Sequence, residues 1–153
     1  MKRWTVEEYH KLIDIGLFAN DQRFELLEGW IVSKMSRNPP HESSVHLTNN
    51  ECKRRLPSGW DTRIQSAITL EDSEPEPDVA IVKGDARTYA CRHPSPSDIA
   101  VVVEVVDSSL LDDRRRKMRS YARAGIVKYW IVNLSLSQVE VYTDPTGPSG
   151  APA

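Results

Sequence analysis

Ile99-Ala100-Val101-Val102-Val103-Glu104-Val105-Val106 is a run of small and β-branched apolar side chains broken once, by a carboxylate. So short and apolar a run reads as a strand buried on both faces, the kind found inside a sheet. Upstream, Glu76-Pro77-Asp78-Val79-Ala80-Ile81-Val82 has the same character, with Asp78 beside the apolar run. An ionised carboxylate in such surroundings is costly unless something cationic compensates it. Two of them, on strands close in sequence, suggest a shared divalent metal bound by Asp78 and Glu104, with Lys117 just downstream as a third partner.

Working outward, residues 112–124 read as a helix stopped by Gly125. On a helical wheel Leu111, Arg114, Met118, Tyr121 and Gly125 share one side, Arg116, Arg119 and Arg123 lie opposite, and Lys117 sits at the flank. Residues 128–133 and 138–143 read as strands, so the helix before them is expected to be a right-handed crossover between parallel strands. Toward the N-terminus, Thr5 and Glu8 form a capping box at a helix start, with Gly16 as its stop. Residues 23–32 read as a β-hairpin around Glu28-Gly29. Pro39-Pro40 breaks the chain before a helix over 41–56, whose inner side would hold Val45, Leu47, Cys52 and Leu56. A strand over 60–67, an acidic loop over 71–76 and an irregular crossing over 84–98 complete the series. The order predicts an α/β fold, a sheet with helices on its faces.

With 153 residues the chain has the length of one domain able to bury a core. No apolar run is long enough for a membrane span, and the N-terminus carries acidic residues where a signal peptide would be apolar, so a cytoplasmic protein is expected. Cys52 and Cys91 show neither zinc spacing nor a disulfide framework and read as free thiols. The net charge of −2 does not advertise nucleic-acid binding, which would have to come from a local patch. The tail from 144 to 153, rich in Pro, Gly and Ser, is expected to be disordered.

Hydrolysis of a phosphodiester needs an activated water and stabilisation of charge on the phosphate. Mg²⁺ or Mn²⁺ held by carboxylates supplies much of this, and a nearby lysine can position or deprotonate the water. Asp78 and Glu104 suit as hard oxygen ligands, Lys117 as the amine, and the carbonyls of Val103 or Val105 as further donors. Plainer readings stand beside these: Asp78 as a solvent-facing strand start, and Lys117 as part of a solvated charge run. Arg114, Arg115 and Arg116, with Arg119, Arg123 and Lys128, form the densest basic stretch, and Lys53-Arg54-Arg55 a second. Either could contact phosphates, or be an exposed helix face. No base-reading module is recognisable.

The pattern as a whole resembles the Uma family of restriction endonucleases, within the PD-(D/E)XK nuclease superfamily. The resemblance runs from Trp4 to Tyr142. It rests on the hairpin Phe24-Glu25-Leu26-Leu27-Glu28-Gly29-Trp30-Ile31-Val32, His41 after the double proline, Glu74-Pro75-Glu76-Pro77-Asp78, and Val102-Val103-Glu104-Val105-Val106. Lys117, Tyr121-Ala122-Arg123-Ala124-Gly125, Lys128-Tyr129-Trp130-Ile131-Val132 and Val139-Glu140-Val141-Tyr142 continue it. It implies a restriction-endonuclease-like fold, a mixed central sheet flanked by helices with an N-terminal helix and hairpin, as a single domain over 1–143. It implies an Mg²⁺-dependent (alternatively Mn²⁺-dependent) DNA endonuclease that works as a homodimer. Asp78 and Glu104 match the family's acids and metal ligands. Val106 stands where the simple motif has its lysine, and Lys117 matches the family's lysine on the following helix. Glu25 and His41 match further active-site positions, Glu25 for a second metal or its water and His41 for phosphate. Two departures are Val106-Asp107-Ser108-Ser109, where a Ser-Pro-Ser-Thr turn is usual, and the short run beyond Tyr142, which would leave a sheet edge open. The alternative is a catalytically inactive nuclease-fold protein that binds nucleic acid or a protein partner.

Overall fold

Thr5 starts the first helix as its sequence predicts. In a computed structural model that describes residues 1–20, 23–34, 37–107 and 111–145, the Glu8 N–H donates to Thr5 Oγ1 at 3.1 Å and Thr5 N–H to Glu8 Oε2 at 3.0 Å. Helix α1 spans Val6–Asp14, and Gly16 follows at a φ of 76°. Strands β1 (Phe24–Leu27) and β2 (Trp30–Ser33) pair around Glu28 and Gly29, both at positive φ (51° and 81°), the geometry of the tight turn whose twist suits a hairpin. A Cβ at Gly29 would lie 2.8 Å from Arg3 Cβ, so the turn admits only glycine there without a shift of the N-terminal arm.

The double proline opens a helix rather than breaking the chain before one. Helix α2 spans Pro39–Arg55, with Asn38 as its cap accepting the His41 N–H at 3.0 Å. Prolines fit the first turn, where an N–H has no helical partner to lose. Its inward side carries Val45, with Cys52 and Leu56 packed beside the core, while Leu47 is exposed.

Strand β3 (Trp60–Ile64) ends where Gln65 turns to a φ of 47°, earlier than the expected 67. Strands β4 (Val79–Lys83), β5 (Ile99–Val106), β6 (Lys128–Asn133) and β7 (Gln138–Thr143) complete a five-stranded sheet in the order β3-β4-β5-β6-β7. All neighbours are antiparallel except β5 and β6, which are parallel and joined through helix α3 (Leu111–Arg123), as the crossover reading requires. A register shift between Ile81 and Val82 leaves Ala100 as the extra residue of a bulge. Helix α3 ends with Gly125 at a φ of 74°, the Ile126 N–H returning to Tyr121 O and the Gly125 N–H to Ala122 O, each at 3.0 Å.

Period-two alternation sorts the central strands between two cores. Val79, Ile81, Val101, Val103 and Val105 pack with Val45 of α2. Ala80, Val82, Val102, Tyr129 and Ile131 pack with Tyr121 of α3 and with Ile68 and Leu70. Glu104, in phase with Val102, therefore points into the α3 side of the sheet. The part of the expected tail from 146 to 153, and Ser108 and Ser109 of the unusual turn, lie outside the described residues.

Candidate active site

Pro77 is buried and leads Asp78 into β4, and Asp78 is itself 7% exposed. The Val105 N–H donates to Asp78 Oδ2 at 2.8 Å, and His41 Nε2 lies 3.2 Å from the same oxygen. The left-handed backbone at Gln65 brings its N–H to Asp78 O at 3.1 Å and its side-chain amide to a loose 3.5 Å from Oδ1. Burial alone would push the Asp78 carboxyl up. The His41 hydrogen bond, the Val105 N–H and the charges of His41 and Lys117 outweigh it and hold Asp78 below its ordinary value. The same His41–Asp78 bond raises the imidazole against the opposing effect of its burial.

Glu104 is buried one residue before Val105. Its Oε1 accepts from Tyr121 Oη at 2.7 Å and from Lys117 Nζ at 3.2 Å. Lys117 Nζ also lies 3.2 Å from Glu25 Oε1, while Glu25 Oε2 accepts the Glu76 N–H at 3.1 Å. Burial pushes Glu104 up to about 7; Lys117 works against this, and the charges of Asp78 and Glu25 add to it. Burial likewise raises Tyr121 well above its ordinary value, so its hydroxyl keeps the proton it donates.

All five expected catalytic residues meet here: Glu25 from β1, His41 from α2, Asp78 from the entry to β4, Glu104 from β5 and Lys117 from α3. Lys117 is 8% exposed and sits on the inward side of α3, not at the flank the wheel suggested. The helical wheel places Tyr121 on the apolar side of α3 and does not show its contact with Glu104. The available signal was its place four residues after Lys117, one helical turn along the same side. Val105, whose carbonyl the sequence offers as a metal donor, also holds Asp78 through its N–H.

The basic stretches are largely engaged within the fold. Arg114 pairs with Glu140, and Arg119 grips Glu28 with two bonds of 2.7 Å. Arg123 reaches Glu28 at 3.5 Å and Asp72 at 3.4 Å. Lys53 pairs with Asp61, and Arg54 and Arg55 with Glu51. Arg115 and Arg116 are exposed. No helix is long and apolar enough to cross a membrane among the described residues.

Three buried carboxylates (Glu25, Asp78, Glu104) thus face one ammonium and one imidazole. Among the described residues, Asp78 Oδ1 is met loosely by Gln65, and the Tyr121 and Lys117 bonds to Glu104 fall on Oε1. Hard oxygen donors with a surplus of negative charge fit Mg²⁺ or Mn²⁺.

Residues 6–151 match the model of the Uma2 family, described as "Putative restriction endonuclease". Among solved structures the chain is similar to a "putative nuclease belonging to DUF820" from Anabaena variabilis ATCC 29413. The TM-score is 0.66 at 15% identity, over 96% of this chain and 90% of that one. The likeness bears on the fold, a mixed α/β architecture of the restriction-endonuclease-like kind. No curated protein matches the chain.

Proposed function

The chain belongs to the Uma2 family, and from that membership and its buried acidic cluster we propose that it is a metal-dependent nuclease acting on DNA phosphodiester bonds. The observation that carries this reading is the meeting of Asp78, Glu104, Glu25, Lys117 and His41, from five separate elements, in one cluster where carboxylates outnumber cations. Asp78 and Glu104 would hold the metal, with Glu25 beside them. A bound Mg²⁺ or Mn²⁺ supplies Lewis acidity toward the phosphate and makes water acidic enough to attack. His41 and the Val105 N–H hold Asp78 Oδ2, so that Oδ1 would be the oxygen offered to the metal. Tyr121 and Lys117 orient Glu104 through Oε1. The Lys117 ammonium, between Glu25 and Glu104, positions the attacking water and offsets charge that builds on the phosphate. Arg115 and Arg116, with Arg114 behind them, would meet the DNA backbone, and a homodimer would set two such centres against the two strands.

Calorimetric titration of Mg²⁺ and Mn²⁺ into the wild type, Asp78→Ala and Glu104→Ala tests the site. Saturable binding in the wild type that both variants lose, with nuclease activity abolished in Lys117→Ala, is the expected result. A folded wild type that binds neither ion at millimolar concentration would overturn the enzyme reading in favour of a non-cutting binder.

A further inference from the structure

Glu74 begins the proline-stiffened segment that ends at Asp78, and its carboxylate has a different company. Its side chain is 2% exposed, yet its ion-pair partners among the described residues are two imidazoles, His10 of α1 and His93 of the loop before β5. His10 Nε2 lies 2.8 and 2.7 Å from the two Glu74 oxygens, and His93 Nε2 lies 3.9 Å from Oε1. One ligating atom from each of the three residues falls within 4.8 Å of the others.

Glu74 and the His93 loop are each held by a framework of their own. The Glu74 N–H bonds to Leu26 O at 2.8 Å, and Thr69 Oγ1 donates to Glu74 Oε2 at 2.8 Å. The His93 loop is tied by the Thr69 N–H to Pro94 O at 2.9 Å. It is tied again by Asp98 Oδ2, which accepts from Arg92 at 2.7 Å and from the Ser95 N–H at 2.9 Å. A cleft of about 680 Å³, lined by His10, Thr69, Tyr89, Arg92, His93 and Cys91 among others, opens against the two imidazoles, with Glu74 buried behind them. Both imidazoles are reachable, His10 at 44% and His93 at 41% side-chain exposure.

We propose that His10, Glu74 and His93 form a second metal centre, for a borderline transition ion with Zn²⁺ foremost, chemically distinct from the all-oxygen acids around Asp78. Two imidazoles and a carboxylate are the donors such ions prefer, and three protein ligands with open space beyond them leave a fourth position for water or an added ligand. Tetrahedral ligands about 2.1 Å from zinc stand roughly 3.4 Å apart. The His10–Glu74 contact must therefore open slightly, and the His93–Glu74 gap of 3.9 Å must close slightly. The hydrogen between His10 Nε2 and Glu74 must give way to the ion; a neutral imidazole does this by changing tautomer, carrying the hydrogen on Nδ1 and presenting a bare Nε2. Occupied, the centre would clamp α1 and the His93 loop onto the segment that presents Asp78.

The test is calorimetric titration of Zn²⁺ into the full chain carrying Asp78→Asn and Glu104→Gln, so that the acidic cluster cannot compete. His10→Gln and His93→Gln are then made in the same background. One Zn²⁺ per chain is expected. Affinity should fall by about 100-fold in either histidine variant, as loss of a direct ligand should exceed the outer-shell effect. Because both histidines are well exposed, the variants should keep the parent's circular dichroism. A Co²⁺ titration read by its visible spectrum should show a tetrahedral band in the parent that either variant abolishes. Zn²⁺ binding unchanged in both variants, or no saturable binding below about 100 μM in a folded parent, would overturn the proposal. The nuclease reading is independent of it, since Mg²⁺ binding to the wild-type acids is expected to survive His93→Gln.

Discussion

Glu104 is the residue on which the candidate site turns. Its carboxyl is pushed up from the ordinary 4.5 to about 7, so the metal-free native state holds a proton that the unfolded chain releases. Stability of the metal-free protein should therefore fall as pH rises from about 4.5 and level off above about 7. Urea melts across that range should show this fall in the wild type and its loss in Glu104→Gln. Mg²⁺ binding, which needs the carboxylate, should conversely tighten as pH rises toward 7. Tyr121→Phe removes the bond to Glu104 Oε1 and is expected to reduce stability by about 1–2 kcal/mol while raising the Glu104 carboxyl further. A double-mutant cycle with Glu104→Gln reads that coupling. Asp78 and Glu104 were legible because a lone acid in a β-branched run is conspicuous. The inward turn of Lys117 was not, because Arg114-Arg115-Arg116-Lys117 carries no periodicity to single out Lys117 from the cations before it. His10 and His93 lie far apart in sequence and belong to no motif, so only the folded chain could bring them together.

At the scale of elements, α3 is docked at its exposed side as well as at its core. Arg119 and Arg123 reach across to Glu28 in the tight turn of the hairpin, and Arg119 holds Glu28 below its ordinary value. Since both arginines are close to half exposed, the clamp is modest. Glu28→Gln is expected to reduce stability by about 1 kcal/mol at low salt and by less at high salt. Because the Glu28 carboxyl is lowered, its contribution is present above about 4.5 and lost as pH falls below that, and wild type and variant should converge in acid. Element types were readable from period and caps: the Thr5 box, the Glu28-Gly29 turn and the Gly125 stop all appear as expected. The edges that moved did so for local reasons. Pro39 and Pro40 are welcome in a first helical turn once Asn38 caps it, and Gln65 leaves the strand early to reach Asp78. Leu47 faces outward because the inner side of α2 follows Val45, Cys52 and Leu56.

For the whole molecule, charge sets the terms of any meeting with DNA. Net charge is −2, and Arg119, Arg123, Lys53, Arg54 and Arg55 are spent on internal acids. DNA affinity is therefore expected to be weak and to fall only gently with salt, with a slope of log K against log salt near −2 or shallower. Fluorescence anisotropy over a salt series should show this, and Arg115→Ala and Arg116→Ala should each reduce the slope by about 1. The acids and the amine of the cluster are drawn from Glu25 in the hairpin through to Lys117 in α3, with Tyr121 beyond. Few contacts in the site are local, so no early stretch of the chain can rehearse it. During synthesis the acids emerge first, and the lysine that pairs with Glu25 and Glu104 arrives only when α3 clears the ribosome and the parallel β5–β6 pair closes. Whatever hydrolytic power the cluster has is withheld from the nascent chain and comes into being with the finished fold.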